Sequence, residues 1–246
     1  MAIITLLTDF GTADSYVAEV KAVLLSRDAN LTLVDISHEV PPGDVRAGQY
    51  LLSRAWQHFP KGTIHLAIID PGVGTERRAI AAESAGHRFL APDNGLLSFL
   101  PRESRFVSVL IPPGVSATFH GRDVFAPAAA TLAAGDPITA LGSSITSPVY
   151  LPLPVARHDG TAVVGEVIYV DRFGTLISNI NASGVEPGVR IRVGDTDVGP
   201  LRRTFADVPR GALVAFVGSG GTIEVAVRDG SAARMLGVGV GVGVEV

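Results

Sequence analysis

Residues 63–80 read TIHLAIIDPGVGTERRAI. The run from Ile64 to Ile69 is apolar at every position except His65, with no alternation of polar and apolar residues. Such a short, continuous run predicts a strand buried on both faces, the kind found inside a parallel sheet. It ends on a carboxylate, Asp70, at a Pro-Gly turn, and the chain returns with two adjacent arginines, Arg77 and Arg78. Open parallel sheets bind ligands beyond the carboxyl ends of their strands, which is where Asp70 stands. Successive side chains of an extended segment point oppositely, so only one of the two arginines can share a face with it.

Working outward, strand and helix patterns alternate through the first ~150 residues. IITLLT (3–8) reads as a short strand and DSYVAEVKAVLLSRD as a helix, with Val17, Val20, Val23 and Leu24 on one face and Asp14 placed to cap it. LTLVDIS (31–37) is a strand, followed by a helix from about Asp44 through Trp56. AIAAES, HRFLAPD and RFVSVLI are further strands, and DVFAPAAATLAAG (123–135) is an Ala-rich helix ended by Gly135. The texture then changes. SPVYLPLPVARHDG is proline-rich and aperiodic, an extended linker. Beyond it, AVVGEVIYVD, TLISNI, RIRVG, LVAFVGS and TIEVAVR are short β runs between Gly and Asp turns. They predict a small antiparallel barrel. SAARML (231–236) is helical, and the GVGVGVGVEV tail reads as a Gly-weakened closing strand. The expected organisation is thus a 1–147 α/β domain with a largely parallel sheet, a 148–160 linker and a 161–246 β-barrel domain.

Bulk properties narrow the function. The net charge of -4 and the lack of any basic run argue against nucleic acid and anionic membrane as partners. With no cysteine there is no disulfide framework, thiolate metal site or Cys nucleophile, which suits a cytoplasmic location. MAIITLLTDFG has no positive n-region and reads as a strand rather than a signal peptide. Familiar motifs fail too. GVGTER lacks the third glycine of a dinucleotide fingerprint and opens onto a strand, and no Walker lysine, H-E-x-x-H or nucleophile elbow is present.

What remains are polar residues at strand ends. Asp9 follows the first strand, Asp70 the third, and Asp93 and Asn94 follow HRFLAP, while FHGRD (119–123) opens the Ala-rich helix. Each alone fits a turn or a cap, since Asp before Pro-Gly is a common turn former and Asp123 can cap its helix. Together they suit one crevice. Asp70 and His120 are the candidates for acid/base work on a water, and a neighbouring arginine would favour an anion there. The other five histidines, His38, His58, His65, His87 and His158, read as strand, surface or linker residues.

The pieces TDFG (8–11), VDISHEVPPGDVRAGQYLL (34–52), IDPGVGTERR (69–78), APDNGLL (91–97), TFHGRDVFAPAAA (118–130) and VDRFGTLISNI (170–180) resemble the S-adenosyl-L-methionine (SAM) hydroxide adenosyltransferases, SAM hydrolases related to fluorinating and chlorinating enzymes. The resemblance covers nearly the whole chain. It implies an N-terminal α/β sandwich, a C-terminal β-barrel, and a homotrimer holding SAM between subunits. The family's Asp-Arg-His trio falls on Asp70, Arg77 and His120, its spacing choosing Arg77 over Arg78. It further implies substrate contacts from Asp9 (ribose hydroxyls), Asp93, Asn94, Phe119, Asp171, Phe173, Thr175, Ser219 and Glu224, with SAM as substrate and neither cofactor nor metal. Two positions depart from the family: Thr175 and Arg228 stand where asparagine is usual. The expected reaction is attack of water at the ribose C5′, giving adenosine and methionine. A halide-using adenosyltransferase and a non-catalytic SAM or adenosine sensor are the alternatives.

Overall fold

The computed structural model describes residues 2–160, 162–186 and 188–246. The chain divides into two compact units, Met1–Pro152 and Leu153–Val246.

The first unit is built on a seven-stranded sheet of β1 (Ile3–Thr8), β2 (Thr32–Ser37), β3 (Ile64–Ile68), β4 (Ala79–Ser84), β5 (His87–Pro92), β6 (Arg105–Val109) and β7 (Gly142–Ile145), in the order β2-β1-β3-β5-β4-β6-β7. The strands from β2 to β5 run parallel; β4, β6 and β7 add antiparallel pairings. The sheet is therefore parallel in one half only. The antiparallel half arises because β4 and β5 form a hairpin through Ala85 and Gly86, both at positive φ.

The apolar run of β3 is buried throughout because its alternate residues enter two cores. Ile64, Leu66 and Ile68 join Ile4 and Leu6 of β1, Val20 and Leu24 of α1 (Tyr16–Arg27), and Ala126, Ala129 and Leu132 of α3 (Ala126–Ala133). On the opposite face, Ile69 meets α2 (Val45–Ala55) at Gly48, where a Cβ would lie 2.7 Å from Ile69 Cδ1. Trp56 closes that side, edge-on to Phe89 with ring centroids 5.5 Å apart. Asp44 caps α2, its carboxylate accepting from Ala47 N at 2.9 Å. Ser15, not Asp14, occupies the N-cap of α1, and its hydroxyl donates to Glu19 instead of capping. The Ala-rich helix begins as a wide π turn, Gly121–Phe125, before α3 proper.

In the second unit seven strands close on themselves in the circuit β9 (Ala162–Val170), β10 (Leu176–Asn181), β14 (Thr222–Val227), β13 (Leu213–Val217), β12 (Thr196–Arg202), β11 (Arg190–Val193), β15 (Gly243–Glu245) and back to β9. β8 (Arg157–Asp159) adds to β9. All pairings are antiparallel except β12 with β13. The Gly-Val tail supplies β15, which bridges β11 and β9, with Val244 buried inside. Closure removes exposed strand edges. α4 (Ala232–Leu236) is capped by Ser231 and ended by Gly237 in the left-handed conformation.

Candidate active site

Beyond β3 the chain turns sharply, with Val73 N donating to Asp70 O at 3.2 Å and Thr75 N to Gly72 O at 3.1 Å. The turn brings Arg77 back over Asp70. Arg77 Nε donates to Asp70 Oδ1 at 2.9 Å, and its Nη2 pairs with Oδ2. This two-point match of planar fork to carboxylate fixes both orientations. The pair is withdrawn from solvent, with side chains 9% and 6% exposed. Arg78 points the other way. Its Nε donates to Asp93 Oδ2 at 2.7 Å and its Nη2 to Ser147 O at 2.7 Å.

His120 completes the cluster. Arg77 Nη2 lies 2.9 Å from its Nδ1. A guanidinium has donors and no acceptor, so Nδ1 must accept, and the ring carries its proton on Nε2. Burial lowers the pKa of His120, the Arg77 cation lowers it further, and Asp70 and Asp123 oppose the shift. Neutral imidazole with an Nε2–H donor is the resulting state at neutral pH. The remaining guanidinium nitrogen, Arg77 Nη1, is buried and makes no hydrogen bond among the described residues. A buried donor without an acceptor costs about 1–3 kcal/mol. The two loops meet closely: a Cβ on Gly74, whose φ is +78°, would fall 2.5 Å from the Ala117 carbonyl oxygen.

Other residues singled out by sequence are divided. Asp9 follows β1, with Oδ2 accepting from Gly43 N at 2.8 Å. Asn94 holds the end of β3 from the side, donating to Ile69 O at 2.8 Å and accepting from Leu96 N at 3.2 Å. Phe119 packs edge-to-face with Phe10 and Tyr16, at 5.9 and 5.4 Å between centroids. Asp93 does not join the cluster. Buried, it is occupied by Arg78 and by Val149 N at 2.7 Å, so its carboxylate anchors the segment after β7.

The remaining candidates lie in the second unit. Asp171 Oδ1 accepts from Phe173 N at 3.0 Å and Thr175 N at 2.8 Å, shaping a turn that leaves the Phe173 ring exposed. Thr175 is buried. Glu224 extends over Gly218, where a Cβ would lie 1.8 Å from its Oε1, with Ser219 next in the same turn. Arg228 donates to Val208 O at 2.8 Å and serves that loop.

Comparisons with known proteins bear on this arrangement. Residues 4–142 match the family model for the SAM hydroxide adenosyltransferase N-terminal domain, and residues 165–245 the model for its C-terminal domain. The chain is 44% identical to a Thermus thermophilus protein named (R)-S-adenosyl-L-methionine hydrolase, covering 98% of this chain and 97% of that one. A Nocardia brasiliensis fluorinase is 30% identical over 99% of this chain and 96% of its own length. Among solved structures, an uncharacterized conserved protein from Thermotoga maritima superposes with a TM-score of 0.92 at 35% identity, over 98% of both chains.

Proposed function

The chain belongs to the SAM hydroxide adenosyltransferase family, and from that membership and the geometry of the strand-end cluster we propose that it hydrolyses S-adenosyl-L-methionine to adenosine and L-methionine. The observation that carries this reading is the buried Asp70–Arg77–His120 array, a carboxylate, a guanidinium and an imidazole joined by hydrogen bonds at the end of β3. Water attacks C5′ of the ribose. Its proton passes to the Asp70 carboxylate, while the Arg77 cation stabilises the oxygen as it gains anionic character and His120 holds the guanidinium in place. The C5′–S bond breaks with its electron pair going to sulfur, so a sulfonium cation becomes a neutral thioether. A leaving group that departs neutral needs no metal to draw off charge, and the protein's task is alignment and electrostatic support. Asp9 is suited to the ribose diol, and Asp171, Phe173, Thr175, Ser219 and Glu224 to the rest of the substrate. The trimeric assembly and cytoplasmic setting expected from sequence belong to the same reading.

The chain's greater identity to the Thermus hydrolase, 44%, than to the Nocardia fluorinase, 30%, favours water over halide as nucleophile. Their name specifies the (R) sulfonium epimer, and the same preference is proposed here. Incubation with separated (R) and (S) epimers, with and without chloride or EDTA, followed by chromatography, tests the whole reading. Adenosine formed faster from the (R) epimer, unaffected by either additive, is expected. A 5′-chloro product would point to halide transfer, and tight binding without turnover to a sensor.

A further inference from the structure

Among the described residues, the His120 ring has a single hydrogen-bond partner, Arg77. Its placement depends on what holds the backbone on either side. Arg122, two residues on, is shared between three groups. Nε and Nη2 both donate to Asp123, at 2.6 and 3.0 Å, and Nη1 donates to Glu19 of α1 at 2.9 Å. The guanidinium also lies 4.9 Å from the centre of the Phe119 ring. Asp123 in turn accepts from Ser116 N at 2.9 Å, closing the loop that precedes His120. Residues 116, 119, 122 and 123 are thereby tied to one another and, through Glu19, to α1, with His120 in their midst. The backbone here is a π turn closed by Ala126 N donating to Gly121 O, and Asp123 N and Arg122 N both donate to Phe119 O, at 3.1 and 3.2 Å.

We propose that Arg122 is a positioning residue for the hydrolytic reaction: by clamping Asp123, Glu19 and Phe119 at once, it fixes the imidazole of His120 against Arg77. This rests on the hydrolase reading above. Arg122 touches none of the reacting atoms in that mechanism, so its effect must pass through His120. A lysine keeps the charge but not the fork that spans Asp123 and Glu19 or the flat face over Phe119.

A double-mutant cycle tests this. Arg122→Ala is expected to lower kcat at least ten-fold with KM changed less than three-fold, and Arg122→Lys to recover part of the loss. In a His120→Ala background, Arg122→Ala should cost less than two-fold, because the group it positions is gone. Side-chain nitrogen NMR should show His120 protonated on Nε2 in the parent and a mixture of tautomers in Arg122→Ala. If Arg122→Ala does not fold, Glu19→Ala removes one arm of the clamp, with a smaller loss of kcat again masked by His120→Ala. Unchanged kcat, or a loss of equal size with and without His120, would overturn the proposal. An inactive parent enzyme would instead overturn the hydrolase reading, so the two failures are distinguishable.

Discussion

Arg77 and Arg78 are neighbours in sequence with opposite employment, and the difference can be measured. Arg77 engages Asp70 and His120, whereas Arg78 is 37% exposed and neutralises Asp93, whose side chain is 1% exposed. Arg77→Ala should lower kcat by about 10²–10³-fold, the usual cost of a donor aimed at developing negative charge. Arg78→Ala should leave kcat within a few-fold and cost about 1–3 kcal/mol of stability, read by denaturant titration, because a buried carboxylate loses its partner. The reverse pattern would show that the wrong arginine has been placed in the chemistry. His120 sets the acid limb of the rate profile. Its pKa is held below the ordinary 6.5, so the neutral, Nδ1-accepting form persists below that pH. Protonation would place a second donor against the Arg77 guanidinium and break the array. The midpoint of the acid limb is therefore expected below pH 6.5, with that limb absent from the residual rate of His120→Ala.

At the level of elements, the site exists because two loops approach within backbone contact. Gly74 combines a left-handed φ with a neighbour, Ala117 O, that a Cβ cannot approach. Gly74→Ala should cost about 1–2 kcal/mol for the left-handed conformation alone, and must also push the Asp70–Arg77 turn away from the His120 loop. Loss of kcat exceeding ten-fold with modest loss of melting temperature is expected. A second inter-strand feature joins β1, β3 and β5: Thr5 Oγ1 lies 2.9 Å from His65 Nδ1, and His65 Nε2 lies 3.1 Å from His87 Nδ1. Burial, then the neighbouring His87, lowers the His65 pKa to about 3. Burial and then Lys61 lower that of His87. Between pH 6.5 and about 3 the unfolded chain binds a proton at His65 that the folded chain refuses, so stability falls as pH falls, by up to about 1.4 kcal/mol per unit for that site. His65→Gln should flatten this slope in denaturant titrations at pH 4–6. An unchanged slope would remove His65 as its origin. From sequence these two histidines read as strand or surface positions, because periodicity reports burial but not who hydrogen-bonds whom. The strand ends at Asp9 and Asp70 were legible for the opposite reason: a polar residue terminating an apolar run is a local signal. The antiparallel half of the sheet and the Asp93–Arg78 pair were not, since both depend on contacts between segments whose register no local pattern records. FHGRD shows no role for Arg122 in sequence, because its partner Glu19 lies on α1, 103 residues away.

Over the molecule as a whole, the proposed contacts fall into two sets. Asp9, Asp70, Arg77 and His120 belong to the first compact unit, and Asp171, Phe173, Ser219 and Glu224 to the second. A substrate with a nucleoside at one end and an amino acid at the other can be held by two such sets in either of two ways, from one chain or from two. The trimer proposed with the hydrolase reading requires the second, and this has a consequence that single-chain binding lacks. Asp70→Ala destroys the first set and leaves the second whole. A double change of Asp171→Ala and Glu224→Ala does the reverse. Each variant alone should be inactive. When the two are denatured and refolded together, or co-expressed, copies assemble at random and some sites draw an intact first set from one chain and an intact second set from another. Statistical mixing of equal amounts then places both intact sets together in about a quarter of sites, so restored activity near one quarter of the parent level is expected. Mixing the folded variants without exchange should restore nothing. Failure to recover activity after verified subunit exchange would show that both sets act within one chain, and the dependence of turnover on assembly would go with it.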